Sequence, residues 1–456
     1  MLSPFLNVLV RKSFKRLPTA AEWARFRKYA RRIRELKDQG APITLSWEVY
    51  SVAQLHVANE PFLPNLTTLD LCEIKEPLTP FIPLLLSPTI TSTSLGSPDN
   101  HIPTSVAASL ITNVLTSCPD VQDVSFPFLP RDPVITSAAS KLFFATHGKA
   151  LRRFYVDSPL TEEATEAIYK SQNLSDLLAH IEEGTPIPSA SLPNLTRLEI
   201  HCKYWSNGLQ FLRRATFGKL KSIEINIEHC STDDNILKAF QEIVFHSSIQ
   251  DTLSAICITI DSSLNLDYYS LLPFTRLVHL DIRPYCDDGC SWVNDDIVID
   301  LSRAMPKLES LTLGNWPCSE FTGGVTAKGL VALARNCRNL SSLCVHFQVA
   351  SLSSPPTGLE TTHTAEYSAL WTGCALTRLD VGEMAVSDDS APMVALTLLC
   401  IFPRIETIVF LLEAWDVVDA MIRRLRQIVN CSSKYRHFTN PRNSSLILPR
   451  CRPYGR

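Results

Sequence analysis

The residues best suited to chemistry in this chain are its cysteines, histidines and carboxylates, and their spacing decides what they can do. Cys286 and Cys290 enclose Asp287, Asp288 and Gly289. A zinc ion would need two more ligands, and His201–Cys202 and His229–Cys230 supply them only if folding gathers the three segments. There is no His-Glu-x-x-His, no Gly-x-x-x-x-Gly-Lys-Ser/Thr, no Gly-x-Gly-x-x-Gly and no Gly-x-Ser-x-Gly. Glycine is scarce, at 15 of 456 residues, which argues against phosphate-cradling loops. The expectation is no enzyme, no cofactor and no metal site, with cysteine serving as a small buried hydrophobe, as at Cys118, Cys337 and Cys374.

A second set of polar residues recurs in a fixed setting. Asp70, Tyr155, Glu199, Glu224, Asp281, Thr312 and Asp380 each lie between two apolar positions. Arg153, Arg197, His201, Asn226, His279, Arg283, His346 and Arg378 flank them. Alternate residues of a strand face opposite ways, so these side chains would share one open face. A ladder of both charge signs with histidine suits oriented recognition of a protein. The partner site is therefore expected on the middle strands, at Arg197, Glu199, His201, Glu224, Asn226, His279, Asp281 and Arg283. Glu199 and Asp281 are expected to face solvent. Trp205 and Trp316 fall just past strand ends, as interface anchors or as loop packing.

The elements that position these residues come from one repeated skeleton, Leu-x-x-Leu-x-Leu. It appears at 63–71 (LPNLTTLDL), 192–200 (LPNLTRLEI), 305–313 (MPKLESLTL) and 337–345 (CRNLSSLCV). Within each, the last two apolar residues point into a core together and the first enters from the preceding turn. One such unit cannot bury its own apolar face, so neighbours must stack. Eleven leaders fit the skeleton: Leu66, Val121, Leu151, Leu195, Leu220, Leu253, Leu277, Leu308, Leu340, Leu376 and Ile405. The fold expected is α/β: a leucine-rich-repeat solenoid, or horseshoe, of about eleven irregular repeats. A curved parallel sheet would line its concave side and helices its convex side.

Between strands the apolar period becomes helical. Residues 329–337 carry Leu330, Leu333 and Ala334 on one face, 295–305 follow the cap candidates Asn294 and Asp295, and 161–183 start at Thr161 with early acids. Residues 21–38 read as one basic amphipathic helix and Ala414–Val429 as a last helix covering the open end of the sheet. Residues 87–105 and 351–364, rich in Ser, Thr and Pro, read as inserted mobile loops and as the competing place for a partner. Within them Ser87, Ser97 and Ser354 precede proline, the minimal setting for proline-directed phosphorylation. Three regions follow: a basic helical cap at 1–60, the solenoid at 61–412, and a capping helix with basic tail at 413–456.

Net charge is −3, unevenly spread: residues 1–40 carry +8 and residues 434–456 carry +6, so the middle is acidic. Basic end helices around a charged solenoid account for this without nucleic acid, and none is expected as a partner. Residues 1–20 contain no acid, as in mitochondrial presequences, but a cap on the first strand fits the same charges. No secretory signal is recognisable, and no apolar run reaches the 18 residues of a membrane span. The expected setting is cytoplasmic or nuclear and reducing, so the Asn-Leu-Ser/Thr sequons at Asn65, Asn194 and Asn339 read as repeat residues, not glycan sites.

The stretch 325–343 (VTAKGLVALARNCRNLSSL) resembles the repeat of F-box/leucine-rich-repeat proteins, where a Gly-Leu-x-x-Leu-Ala helix leads into Cys-x-x-Leu-x-x-Leu. WARFRKYARRIREL at 23–36, followed by LPNLTTLDL, is similar to the segment after the F-box in fungal F-box-like proteins. The resemblance implies the substrate-recognition part of an SCF-type (cullin-RING) ubiquitin ligase, with a protein target on the concave face. No F-box-like run precedes Trp23, so a Skp-family adaptor is expected to bind only if an F-box lies upstream of Met1. The alternative is a repeat scaffold with no ligase link.

Overall fold

Alternation of apolar and polar residues turns each skeleton into a strand whose side chains read half-buried, buried, half-buried, buried, as at Thr68–Leu71, Ser310–Leu313 and Ser342–Val345. The computed structural model describes residues 9–10, 13–14, 18–37, 51–52, 54, 61–71, 76–96, 103–126, 133–185, 187, 189–229, 236–246, 249–261, 266–284, 293–314, 324–353, 373–382, 384–410 and 413–436. Fourteen strands form one sheet in unbroken chain order. They are β1 (Glu35–Lys37), β2 (Thr68–Leu71), β3 (Ser92–Leu95), β4 (Asp123–Phe126), β5 (Arg153–Pro159), β6 (Asp176–Ile181) and β7 (Arg197–Tyr204). They continue as β8 (Ser222–His229), β9 (Ala255–Ile260), β10 (His279–Pro284), β11 (Ser310–Leu313), β12 (Ser342–Val345), β13 (Arg378–Gly382) and β14 (Thr407–Phe410). Every pairing in this sheet is parallel.

Register follows from one buried column. Leu36, Leu69, Thr93, Val124, Phe154, Leu177 and Leu198 lie opposite one another on successive strands. Ile223, Ile256, Leu280, Leu311, Leu343, Leu379 and Ile408 continue the line. A slip of one residue would turn this whole column to the open face. The turn before each strand repeats a single device. The carbonyl of Arg34 accepts both the Thr67 and Thr68 amides, that of Thr67 the Thr91 and Ser92 amides, and so on through Thr377, which accepts Glu406 and Thr407. These bonds span 2.7–3.1 Å at all thirteen steps. Thr67, Thr91, Ser175, Thr196, Ser254, Ser341 and Thr377 add a hydroxyl bond to the same preceding carbonyl. Asn65 and Asn194 donate side-chain amides to Arg31 and Gln172 of the previous turn. The Asn-Leu-Ser/Thr motif is thus repeat chemistry in which both polar residues tie one turn to the last.

Consecutive helices pack on one another, as Asp295–Ala304 does on Ala327–Asn336 and Ala391–Ile401 on Ala414–Arg436. The result is a mixed α/β chain consistent with an α/β solenoid. The long final helix packs on β14, where Arg426 donates to the Ile405 carbonyl at 2.7 Å. At the other end Ala20–Ala30 opens on a Thr19–Glu22 capping box and buries Trp23, Phe26 and Ala30. Leu195, Leu198, Ile200, Leu308, Leu311, Leu313, Leu340 and Leu343 are all buried.

All eleven expected strands are present, and three more correct the count. The helix expected over 21–38 ends at Ala30, because Leu36 completes the buried column beside Leu69 and draws Glu35–Lys37 into the sheet. The inserted loop expected at 87–105 contains β3 and the start of a helix at Thr104. The helix expected over 161–183 stops at Tyr169 and is followed by β6. The overlooked leaders are Ile33, Ile90 and Leu174. Ile90 divides the 55 residues between Leu66 and Val121 into steps of 24 and 31, and Leu174 divides the 44 between Leu151 and Leu195 into 23 and 21. Among the described residues no helix is long and apolar enough to cross a membrane.

Candidate partner-binding face

The register that aligns the buried column aligns three more on the opposite side of the sheet. The central one runs Lys37, Asp70, Ser94, Ser125, Tyr155, Leu178, Glu199, Glu224, Cys257, Asp281, Thr312, Cys344 and Asp380. Before it stand Asp123, Arg153, Asp176, Arg197 and Ser222, and after it His180, His201, Asn226, Thr259 and Arg283. Five of the eight expected site residues therefore adjoin: Arg197, Glu199 and His201 on β7 with Glu224 and Asn226 on β8. The open-face positions of β9 (Ala255, Cys257, Thr259) separate them from His279, Asp281 and Arg283, which form a second group. There the Arg283 guanidinium grips Asp281, with Nε at 2.8 Å from Oδ1.

Glu199 does not face solvent. It is 5% exposed, the one buried carboxylate among the described residues of this sheet. The Tyr155 hydroxyl donates to its Oε1 at 2.7 Å and His201 Nε2 lies 3.0 Å from the same oxygen. Arg197 Nη2 donates to its Oε2 at 3.3 Å and to Glu224 Oε2 at 3.2 Å. The cause is the neighbouring strand. Leu178, registered between Tyr155 and Glu199, is apolar on the open face, and the Tyr155–Glu199 bond closes over it. Leu178 is fully buried yet lies outside the main core.

Electrostatics follow the same contacts. Burial alone would raise the Glu199 carboxyl, but hydrogen bonds from His201 and Tyr155 and the charges of His201 and Arg197 outweigh it and hold it below the ordinary value. Burial, then the bond to Glu199, pushes the Tyr155 phenol far up. Burial raises the Asp123 carboxyl against the opposing pull of Arg153, and raises that of Asp380 likewise. Cys257 in the central column is pushed up to about 12 by burial and by Asp281 and Glu224, so it is a thiol and not a nucleophile.

This face carries a groove of about 300 Å³ over β3–β7. Its lining includes Ser92, Ser94, Asp123, Ser125, Arg153 and Tyr155, with Asp176, Arg197 and Glu199 beyond. The sequence pattern pointed further along the sheet. Ser92, Ser94 and Asp176 fall outside the expected site because local patterning favours loop and helix for their strands. The signals that mark them are Thr89-Ile90-Thr91, and Asn173-Leu174-Ser175, a fourth Asn-Leu-Ser/Thr sequon.

Other expected features resolve more simply. Trp205 is buried, so it packs rather than anchors a partner. Ser87 is fully buried, with its hydroxyl donating to the Pro64 carbonyl at 3.0 Å, and is closed to a kinase. Cys118, Cys337 and Cys374 are buried, and the Cys337 thiol donates to the Met305 carbonyl at 3.5 Å. Among the described residues no group of three or more His, Cys, Asp or Glu is placed to hold a metal. Cys230, Cys286, Cys290, Ser97, Ser354, Trp316 and residues 354–372 lie outside the described residues. No family model matches the chain, and no curated protein matches it.

Proposed function

We propose that this chain is a non-enzymatic protein-interaction module, a leucine-rich-repeat horseshoe whose concave face holds a protein target. We propose further that it acts as the substrate-recognition part of an SCF-type ubiquitin ligase. The observation that carries the interaction role is the continuous open face, where thirteen identical backbone steps align polar side chains of both signs into columns. Repetition makes an extended rigid surface, and mixed charge on it confers register and selectivity on a bound protein. The ligase role rests on the resemblances at 325–343 and at 23–36 followed by 63–71. One feature favours the alternative, a scaffold without ligase link: Trp23, Phe26 and Ala30 of the basic N-terminal helix are buried in the core, with Phe26 against Phe62, so that face is spent on packing.

The test is proximity labelling in cells with the wild-type chain and with a double variant, Asp281→Asn with Arg283→Gln. Partners lost in the variant are purified and their affinities for both chains measured. The ligase role then requires that such a partner be ubiquitinated by a reconstituted cullin-RING complex containing this chain and a Skp-family adaptor. A partner that binds both chains equally defeats the open-face assignment. A face-dependent partner with no adaptor binding and no ubiquitination leaves the scaffold.

A further inference from the structure

We propose that the groove over β3–β7 takes a lysine or arginine side chain of the partner protein, seated over Ser94 and Ser125 beside the Tyr155 ring. This rests on the open face being the protein-binding surface. The groove exists because side chains change size along the columns. Ser92, Ser94 and Ser125 are short, while Arg153, Tyr155 and Arg197 on the next strands are long.

Charge then selects the occupant. Arg197 is committed to Glu199 and Glu224, and Glu199 is also held by Tyr155 and His201. Asp123, Arg153 and Asp176 remain. Arg153 stands in register between the two carboxylates, with Asp123 on one side and Asp176 on the other. It meets Asp123 at 3.6 Å through Nε and keeps 65% of its side chain exposed. One guanidinium thus stands between two carboxylates about 10 Å apart across two strand spacings and meets Asp123. A second cation entering over the serines would neutralise Asp123 and release Arg153 toward Asp176. Burial raises the Asp123 carboxyl, Arg153 and Arg152 oppose that shift, and Asp176 adds to it. Serine hydroxyls accept from an ammonium or guanidinium, and the Tyr155 ring offers it a π face.

The probe is a synthetic peptide library with a fixed central arginine, lysine, glutamate, phosphoserine or alanine, read by binding to the full-length chain. The wild type should select the arginine and lysine sets, more weakly at high salt. Asp123→Asn with Asp176→Asn should weaken the selected peptides by at least about tenfold. Asp300→Asn with Arg303→Gln, an exposed pair on the helix Asp295–Ala304 away from this face, should leave them unchanged. Folding of the first variant is checked by its thermal midpoint, and Asp123→Asn alone repeats the test if the pair is unstable. Selection of glutamate or phosphoserine, or undiminished binding by the Asp123 and Asp176 variants, overturns the basic-side-chain assignment while leaving the face as the binding surface. Peptides or proteins that ignore the Asp123 and Asp176 variants and also Asp281→Asn with Arg283→Gln defeat that broader reading as well.

Discussion

Replacing Glu199 with glutamine tests whether the open face is held together by a buried charge. Glutamine keeps the shape and one acceptor but removes the negative charge that Tyr155, His201 and Arg197 address. The Glu199 side chain is 7% exposed, so little water substitutes for what is lost. Arg197 is 52% exposed and keeps Glu224, so its share is discounted to near zero. A hydrogen bond to a charged group contributes ~1.5–3 kcal/mol against ~1 for a neutral one. Losing that difference at Tyr155 and His201 sets an expected cost of about 1–3 kcal/mol at pH 7. Alanine would uncover Leu178 and strand the Tyr155 hydroxyl, for about 3–5 kcal/mol. The folded Glu199 carboxyl lies below its ordinary 4.5, so the unfolded chain takes up the proton first as pH falls. Its stabilisation is complete above that ordinary value and is lost as pH drops through the folded one. Urea denaturation of wild type, Glu199→Gln, Tyr155→Phe and the double variant at pH 7 and pH 3.5 gives the cycle. Coupling of about 1 kcal/mol or more at pH 7, shrinking in acid, is expected. Additive single effects, or a Glu199→Gln cost that does not fall with pH, would refute the buried-charge account. Lysine at this position would set two cations together in a covered site, so charge reversal here is expected to unfold the chain.

Three further substitutions probe the repeat. Leu198→Ala, in the middle of the buried column, should cost about 2–5 kcal/mol in urea denaturation, and a cost under about 1 kcal/mol would contradict its complete burial. Thr93 occupies the same column at 2% exposure with its hydroxyl unpaired, so Thr93→Val should raise stability by about 1 kcal/mol, and a loss would reveal a partner for that hydroxyl. A Cβ on Gly329 would lie 2.5 Å from Asp295 Oδ1 and from Val325 Cγ1, so Gly329→Ala should push aside the carboxylate that caps Thr326 and Gly329 and lower stability by about 1–3 kcal/mol. An unchanged thermal midpoint would show that this inter-repeat cap adds nothing.

The strands with a clean two-residue alternation were legible because their pattern has one solution. SLTL at 310–313 and SLCV at 342–345 must turn Leu311 and Leu343 inward. The three overlooked strands carry patterns that local propensity resolves otherwise. STSL has only one large apolar residue, and its inward position is Thr93, which reads as loop. DLLAHI is nearly all buried, on both faces, and its Leu177, Leu178 and Ile181 fit one side of a helix as well as a strand. ELK is three residues long and follows a strong helix. For STSL and DLLAHI the turn, not the strand, held the information. The bond from a hydroxyl after the leader to the previous carbonyl occurs at Thr91 and Ser175 as it does at Thr67.

The error at Glu199 has the same origin, one level up. Alternation assigns a side chain to a face but says nothing of what its neighbours do there. Glu199 is covered because Tyr155 reaches it across the open-face position of β6, and that position is leucine. With 161–183 read as helix, β7 would have had β5 as its neighbour, and no apolar residue would have required a cover. The missing strand therefore changes the chemistry of a residue that was itself placed on the correct strand and face. It also moves the groove, since Asp176 and the serines of β3 exist on this face only once their strands are counted. In a chain of stacked repeats, strand count and site composition are one inference, because each column is set by which strands are neighbours.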